Sequence, residues 1–252
     1  MANILILGAG SMGTAFSFPC SDNNHVVSII GTHLENDFID QINSKKKHPA
    51  LDCDVPKNVK FSKIEKLEEE INKKVDLIVV AVISKGIEWA SIELSKVMKS
   101  NIPILILTKG LAINNNNYEI LAHKMERLMK KNGIKKTNIS VAGGPCLAKG
   151  LANKIHTSVV FANTDIKIAE QISHLVSTDY YHVFTSDDVI GVETCAAIKN
   201  IFSMAIGASQ GLCHLSASKK IKEENYLNTA AALMQESIYE MIIFTEKLKG
   251  KK

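Results

Sequence analysis

One formal charge stands in the apolar run Thr194-Cys195-Ala196-Ala197-Ile198-Lys199-Asn200-Ile201-Phe202-Ser203-Met204-Ala205-Ile206-Gly207-Ala208: the Lys199 ammonium, with Asn200 beside it. An ammonium in apolar surroundings is costly unless paired or used, and burial lowers its pKa toward the range where it exchanges protons. Catalytic lysines arise this way. A lysine at a helix edge that snorkels to water fits the same run. A second lysine, Lys109, is the first charge after the apolar strand Ile104–Leu107 and is followed by Gly110. It is read as a ligand-facing cation, against a lysine that merely reaches solvent. Cys146 ends the turn Gly143-Gly144-Pro145-Cys146, with no histidine placed to activate it, so it reads as small polar lining.

The third constellation is Gly8-Ala9-Gly10-Ser11-Met12-Gly13, directly after an N-terminal strand and opening a helix. Gly8 permits the tight turn, Gly10 lets the backbone approach a pyrophosphate, and Gly13 allows close helix–strand packing. Free N–H groups and the positive helix end would hold the phosphates. The acidic residue expected about 20 positions on is missing. The second strand ends in Gly31-Thr32-His33, and Glu35 comes slightly late. Without that carboxylate a 2′-phosphate is not repelled, so NADPH is permitted alongside NADH.

These residues need a frame. Strands are expected at Asn3–Leu7, Val26–Ile30, Val59–Phe61, Leu77–Val82, Ile104–Leu107, Ile139–Ala142, Val159–Ala162 and Tyr181–Phe184. Helices are expected at Met12–Cys20 (ended early by Pro19), Leu34–Asn43, Ile64–Asn72, Ile87–Lys99, Tyr118–Lys131 and Ile166–Ser177. Lys45–Asn58 reads as a loop, and Asn114–Asn117 as a short polar one. Alternation of this kind implies right-handed βαβ crossovers and a mainly parallel sheet. Ligands of such sheets lie outside the carboxyl ends of the strands. Those ends are Gly8–Gly13, Thr32-His33, Ser84-Lys85, Thr108-Lys109-Gly110 and Gly143–Cys146, so Lys85 and Lys109 should converge on one crevice. After Asp188 the strand signal stops. Gly191–Gly207 and Asn225–Leu248 read as long helices, joined by a polar linker around Ser216–Glu224. The fold class is α/β: a doubly wound dinucleotide-binding domain over 1–187, then an all-helical domain over 188–252.

Bulk composition narrows the function classes. The chain has 252 residues, 46% apolar and 22% charged, with net charge +4. Its apolar runs read as too short to span a bilayer, and its start lacks the basic region and cleavage site of a signal peptide. Arg127 is its only arginine, and the lysines are spread without interleaved aromatics, a solvated surface rather than a nucleic-acid stripe. Cys20, Cys53, Cys146, Cys195 and Cys213 form no CxxC pair, which fits a reduced cytoplasmic setting without a metal site.

Taken in register, Gly8-Ala9-Gly10-Ser11-Met12-Gly13-Thr14-Ala15, Leu107-Thr108-Lys109-Gly110-Leu111, Gly144-Pro145-Cys146-Leu147-Ala148 and Asp188-Val189-Ile190-Gly191-Val192-Glu193…Ala197-Ile198-Lys199-Asn200 resemble bacterial NAD(P)-dependent glycerol-3-phosphate dehydrogenases. The later Asn228-Thr229-Ala230-Ala231-Ala232-Leu233 is similar to a helix of that family's second domain. The resemblance implies a Rossmann fold with NAD or NADP. It also implies reduction of dihydroxyacetone phosphate to sn-glycerol 3-phosphate, which feeds glycerophospholipid synthesis. It implies that Lys199 is the proton donor and acceptor on the substrate oxygen and that Lys109 touches cofactor and substrate. Gly144, Cys146 and Asn200 would line the substrate site. Ser11, Met12 and Ala148 would contact the cofactor beside Gly8, Gly10 and Gly13, with Thr32 or His33 near the adenosine ribose. A homodimer is compatible with it.

The sequence departs from the family pattern at Met12, where an aromatic is usual, at Cys146, where serine is usual, and at Gly150, where glutamate is frequent. The family's later Gly-Asp-Leu and Ser-Arg-Asn segments, which supply a carboxylate near the lysine and a phosphate-gripping arginine, have no counterpart before Lys252. The expectation is a C-terminally truncated member whose activity in this form is reduced. The alternatives are a related two-domain hydroxy-acid dehydrogenase and an inactive dinucleotide-binding remnant.

Overall fold

The continuous apolar stretch at Asn3–Leu7 becomes β1, buried from Ile4 onward, as expected of a strand covered on both faces. The structure, a computed structural model, describes residues 1–99, 101–216 and 227–251. After β1 come α1 (Ser11–Asp22), β2 (Val26–Ile30), α2 (Asn36–Lys45), β3 (Lys47–His48), β4 (Cys53–Asp54) and β5 (Val59–Ser62). They are followed by α3 (Leu67–Asn72), β6 (Leu77–Val80), α4 (Ile87–Val97), β7 (Ile104–Ile106), β8 (Leu111–Asn114), β9 (Asn117–Ile120) and α5 (Leu121–Lys131). The remaining elements are β10 (Ile139–Gly143), α6 (Ala148–Ala152), β11 (Thr157–Ala162), α7 (Ile166–Val176), β12 (Tyr181–Ser186), α8 (Val189–Ser216) and α9 (Asn228–Lys247).

Eight strands form one sheet in the order β12-β11-β10-β7-β6-β1-β2-β5. Its pairs are parallel except β10 with β11, which is antiparallel, so the mainly parallel doubly wound sheet is as expected. Strand order reverses between β1 and β6, and the crevice at that switch point is where such sheets bind ligands. Two apolar layers cover the faces. Phe16, Ile39, Phe161 and Tyr181 lie on one side, and Ile87, Leu94, Leu121 and Met125 on the other.

Several local expectations change. Pro19 does not end α1, which runs on to Asp22; Pro19 loses only its own N–H bond, and its carbonyl still accepts from Asn23 N. The loop Lys45–Asn58 contains the small β3–β4 hairpin. The polar loop 114–117 is the turn of a β8–β9 hairpin, with Asn115 and Asn116 both at positive φ, a conformation asparagine tolerates. The helix expected from Tyr118 therefore starts at Leu121. Short α6 is an addition. Of the polar linker and the start of the last helix, residues 217–226 lie outside the described residues, as does the Cys213 side chain.

The expectation about apolar runs is also corrected. Val189–Leu212 of α8 is long and apolar enough by length and composition to cross a membrane, with mean hydropathy 1.5. The helix carries through Gly207, where the sequence reading stopped it, and on past Gly211. Its first turns pack on the sheet, burying Glu193, Thr194 and Ala196, whereas Ile201, Met204 and Leu212 face outward.

Candidate active site

The turn after β1 is built as glycine chemistry requires. Gly8 has φ +112°, and a Cβ there would meet the Ala81 carbonyl oxygen at 2.8 Å. A Cβ on Gly13 would lie 2.1 Å from the Gly8 carbonyl oxygen, so α1 packs on its own loop only with glycine there. A Cβ on Gly10 would meet only Glu35 Oε1, at 3.8 Å, and Gly10 is the N-cap of α1 without a side-chain cap. The first N–H groups of α1, at Ser11 and Met12, thus lack intrahelical acceptors and can serve an anion. Met12, Cys146 and Ala148 pack against one face of the core, which brings α6 beside the glycine loop.

Lys109 follows β7, and the Thr108 hydroxyl donates to the Val82 carbonyl at 2.6 Å, tying the ends of β7 and β6 together. The Lys109 Nζ donates to the Gly144 carbonyl oxygen at 3.2 Å. The Lys199 Nζ, arriving from α8, donates to the same oxygen at 3.2 Å. A third donor, the Cys146 backbone N–H, reaches it at 3.1 Å. Gly144 presents that carbonyl from φ +122°, where a Cβ would stand 3.0 Å from the Ser158 oxygen. The two lysines and the glycine-proline turn therefore converge, but the partner of Lys109 is Lys199. Lys85 is exposed in the turn after β6, and among the described residues no hydrogen bond or ion pair joins it to this cluster, although its neighbour Ser84 packs against Gly110.

Burial, reinforced by the charge of Lys199, lowers the pKa of Lys109. Burial raises the Cys146 thiol, outweighing the opposing pull of both lysines, which agrees with lining rather than nucleophilic use. Cys20, Cys53, Cys146 and Cys195 are free thiols. Asn200 is exposed on α8, next to Lys199 in the chain. His33 is exposed and leans on Trp89, ring centroids 5.4 Å apart. A cavity of about 590 Å³ opens beside Lys199, between Gly144, Val192 and Ala196 on one side and Ile238, Met241 and Ile242 of α9 on the other. Arg127 is held by Glu119 in a bidentate pair at 2.9 and 2.7 Å.

Two residues escaped the sequence reading. Glu35, judged late for a ribose carboxylate, folds back so that its Oε2 accepts from Ala9 N at 3.2 Å and Thr32 N at 2.7 Å. Its signal was the glycine at Gly31, where a Cβ would stand 2.8 Å from Ile39 Cγ1, so α2 and the segment bearing Glu35 pack close to the end of β2. Glu193, quoted only as part of a motif, is buried in α8. It accepts from Leu121 N at 2.8 Å and Ala122 N at 3.2 Å, capping the start of α5. Burial pushes its pKa up to about 8 despite those two bonds. No spacing in the sequence links positions so far apart.

The family model described as NAD-dependent glycerol-3-phosphate dehydrogenase N-terminus matches residues 3–169, and the corresponding C-terminus model matches 188–252. A glycerol-3-phosphate dehydrogenase [NAD(P)+] of Exiguobacterium sp. is 29% identical over 98% of this chain and 67% of its own length. An NADP(+)-dependent glycerol-3-phosphate dehydrogenase of Archaeoglobus fulgidus is 27% identical over 92% of this chain and 69% of its own. The crystal structure of glycerol-3-phosphate dehydrogenase from Coxiella burnetii superimposes with a TM-score of 0.79 at 26% identity, over 99% of this chain and 70% of that one. The chain spans 59 to 69% of the length of curated relatives it matches. It belongs to the NAD-dependent glycerol-3-phosphate dehydrogenase family, an NAD(P)-linked oxidoreductase family on a Rossmann fold.

Proposed function

We propose that this chain interconverts dihydroxyacetone phosphate and sn-glycerol 3-phosphate, with Lys199 as the proton-transferring group and Lys109 as its electrostatic partner. The observation that carries the reading is the meeting of both ammonium groups on one carbonyl oxygen at the carboxyl end of β10. The residues fit a dinucleotide: glycines clear the loop, and the α1 N–H groups face outward for its phosphates. When bound, the reduced nicotinamide supplies the hydride to the ketone carbon. Negative charge then grows on the ketone oxygen, which two fixed ammonium groups stabilise and to which Lys199 gives a proton. Lys109, whose cationic form is already weakened by burial and by Lys199, gains most from a developing oxyanion. Gly8, Gly10, Ser11, Met12, Gly13 and Ala148 hold the cofactor, with Thr32 and His33 at its ribose end. Gly144, Cys146 and Asn200 border the substrate.

The reading divides the chain near Asp188, where α8 begins, and places the protein in the cytoplasm, apart from the membrane. Its free thiols and the seating of the first turns of α8 on the sheet support that placement. A homodimer is compatible with the outward apolar side chains of α8 and α9.

Following the absorbance of reduced nicotinamide with dihydroxyacetone phosphate tests the proposal. Turnover that depends on Lys199 supports it. No oxidation of either nucleotide, by this chain or by one extended to the length of its relatives, sinks it.

A further inference from the structure

We propose that Glu35 is the carboxylate that receives the adenosine ribose and selects NAD(H) over NADP(H); this rests on the dehydrogenase reading above. The sequence reading left both cofactors open because no acidic residue ends β2. The structure supplies one from beyond the strand. After Ile30, Gly31 N donates to Ser62 O at 2.9 Å, and the chain then turns so that Glu35 N donates to Thr32 O at 3.0 Å. The turn returns the carboxylate to the crevice between the β1 and β2 ends. There Oε2 is fixed by two backbone N–H groups, from Ala9 in the glycine loop and from Thr32.

Fixing one oxygen leaves the other for a ligand. Oε1 lies 3.8 Å from where a Cβ of Gly10 would stand, beside the phosphate loop. Among the described residues it has no hydrogen-bond partner. A preorganised acceptor at this place in a doubly wound sheet matches the two donor hydroxyls of an unmodified ribose. A 2′-phosphate offers no donor when ionised and brings negative charge against a carboxylate held in place.

Among the described residues no cationic side chain pairs with Glu35. His48, which lies near Ala9 and Glu35, has its pKa lowered by burial, so its neutral form is favoured. Asp37 adds a further negative charge in the first turn of α2, and Lys63 is committed to Asp40 at 2.7 Å. Arg127 is bound to Glu119 on α5's side of the sheet. The Archaeoglobus relative named NADP(+)-dependent therefore marks a preference this chain does not share.

Binding, not turnover, is the test. Dissociation constants for NADH and NADPH are measured by calorimetry and by quenching of Trp89, the chain's one tryptophan. Competition by fragments with and without a 2′-phosphate isolates the ribose end. The wild type is expected to favour NADH and the unphosphorylated fragments by about tenfold or more. Glu35→Gln, checked for an unchanged thermal melt, is expected to shrink that ratio mainly by tightening the 2′-phosphorylated ligands. Equal or tighter NADPH binding by the wild type overturns the assignment, as does an unchanged ratio in E35Q. If E35Q melts differently, the wild-type fragment ratio alone decides. Binding of neither nucleotide overturns both this inference and the dehydrogenase reading, whereas binding of both without preference overturns this inference alone.

Discussion

Lys109 and Lys199, 90 positions apart in sequence, donate to the same Gly144 carbonyl oxygen at equal distances of 3.2 Å. Among the described residues neither pairs with a carboxylate; a dipole holds both. The pairing places one ammonium at the end of a sheet strand and the other on a helix that begins only after the sheet is complete. Each element can then be tested through the other.

Replacing Lys199 by alanine is expected to lower kcat by roughly 10²- to 10⁴-fold, the usual contribution of a positioned acid–base group. Nucleotide affinity should change little, because the glycine loop does not touch Lys199. Steady-state kinetics beside nucleotide calorimetry checks both halves. Equal losses in the two would make Lys199 a structural residue.

Lys109 should show its lowered pKa chemically. Its rate of modification by an amine reagent should rise at a lower pH than that of surface lysines, read by peptide mass spectrometry. Lys199→Met removes one of the two causes, so the curve should move to higher pH. In stability the sign is fixed. Between the lowered value and the ordinary lysine range the unfolded chain binds more protons, so this group's contribution to stability rises with pH across that window.

Glu193 gives the opposite slope. With a folded pKa of about 8 against 4.5, the native chain keeps a proton that the unfolded chain releases. Its contribution is fully present below about pH 4.5 and is lost as pH rises through about 8, on the order of a few kcal/mol in all. Urea midpoints across that range should fall with pH in the wild type. The slope should flatten in Glu193→Gln, which cannot titrate; parallel curves would show that Glu193 is not the source.

Gly143→Ala probes how α8 sits on the sheet. The new Cβ would meet Val192 Cγ1 at 2.7 Å and the Val192 oxygen at 3.1 Å, so the helix must lift. We expect a stability loss of about 1–3 kcal/mol, as for overpacking. Turnover should fall disproportionately, by about 10²-fold if Lys199 moves by an ångström. Chemical denaturation and kcat together test it; a stability loss with unchanged kcat would separate helix seating from catalysis.

Local chemistry was readable where it is written in adjacent residues. The glycine loop, the apolar strands and the first charge after β7 all emerged at the right places. The hairpin at 114–117 was half seen, because asparagines at positive φ mark a turn without marking the short strands that flank it. Pro19 misled by its general reputation, since losing one N–H bond near the end of a helix packed on the core does not break it. Glu35 and Glu193 were missed for a common reason. Their partners are backbone N–H groups, which are identical at every residue and leave no sequence mark. Lys85 was placed with Lys109 by topology alone; its neighbour Ser84 does pack against Gly110, but the lysine side chain itself is exposed.

The Gly144–Lys199 hydrogen bond also spans 55 residues, and it closes a loop that contains β11, α7 and β12. The glycine turn, by contrast, has its own residues and the Gly8 N to Ile30 O hydrogen bond within the first βαβ unit, and its other contacts reach no further than Ala81 and α6. Contacts between distant positions pay more loop entropy and form later. A chain refolding from denaturant should therefore regain its grip on nucleotide before it regains chemistry, a lag that rapid mixing can time.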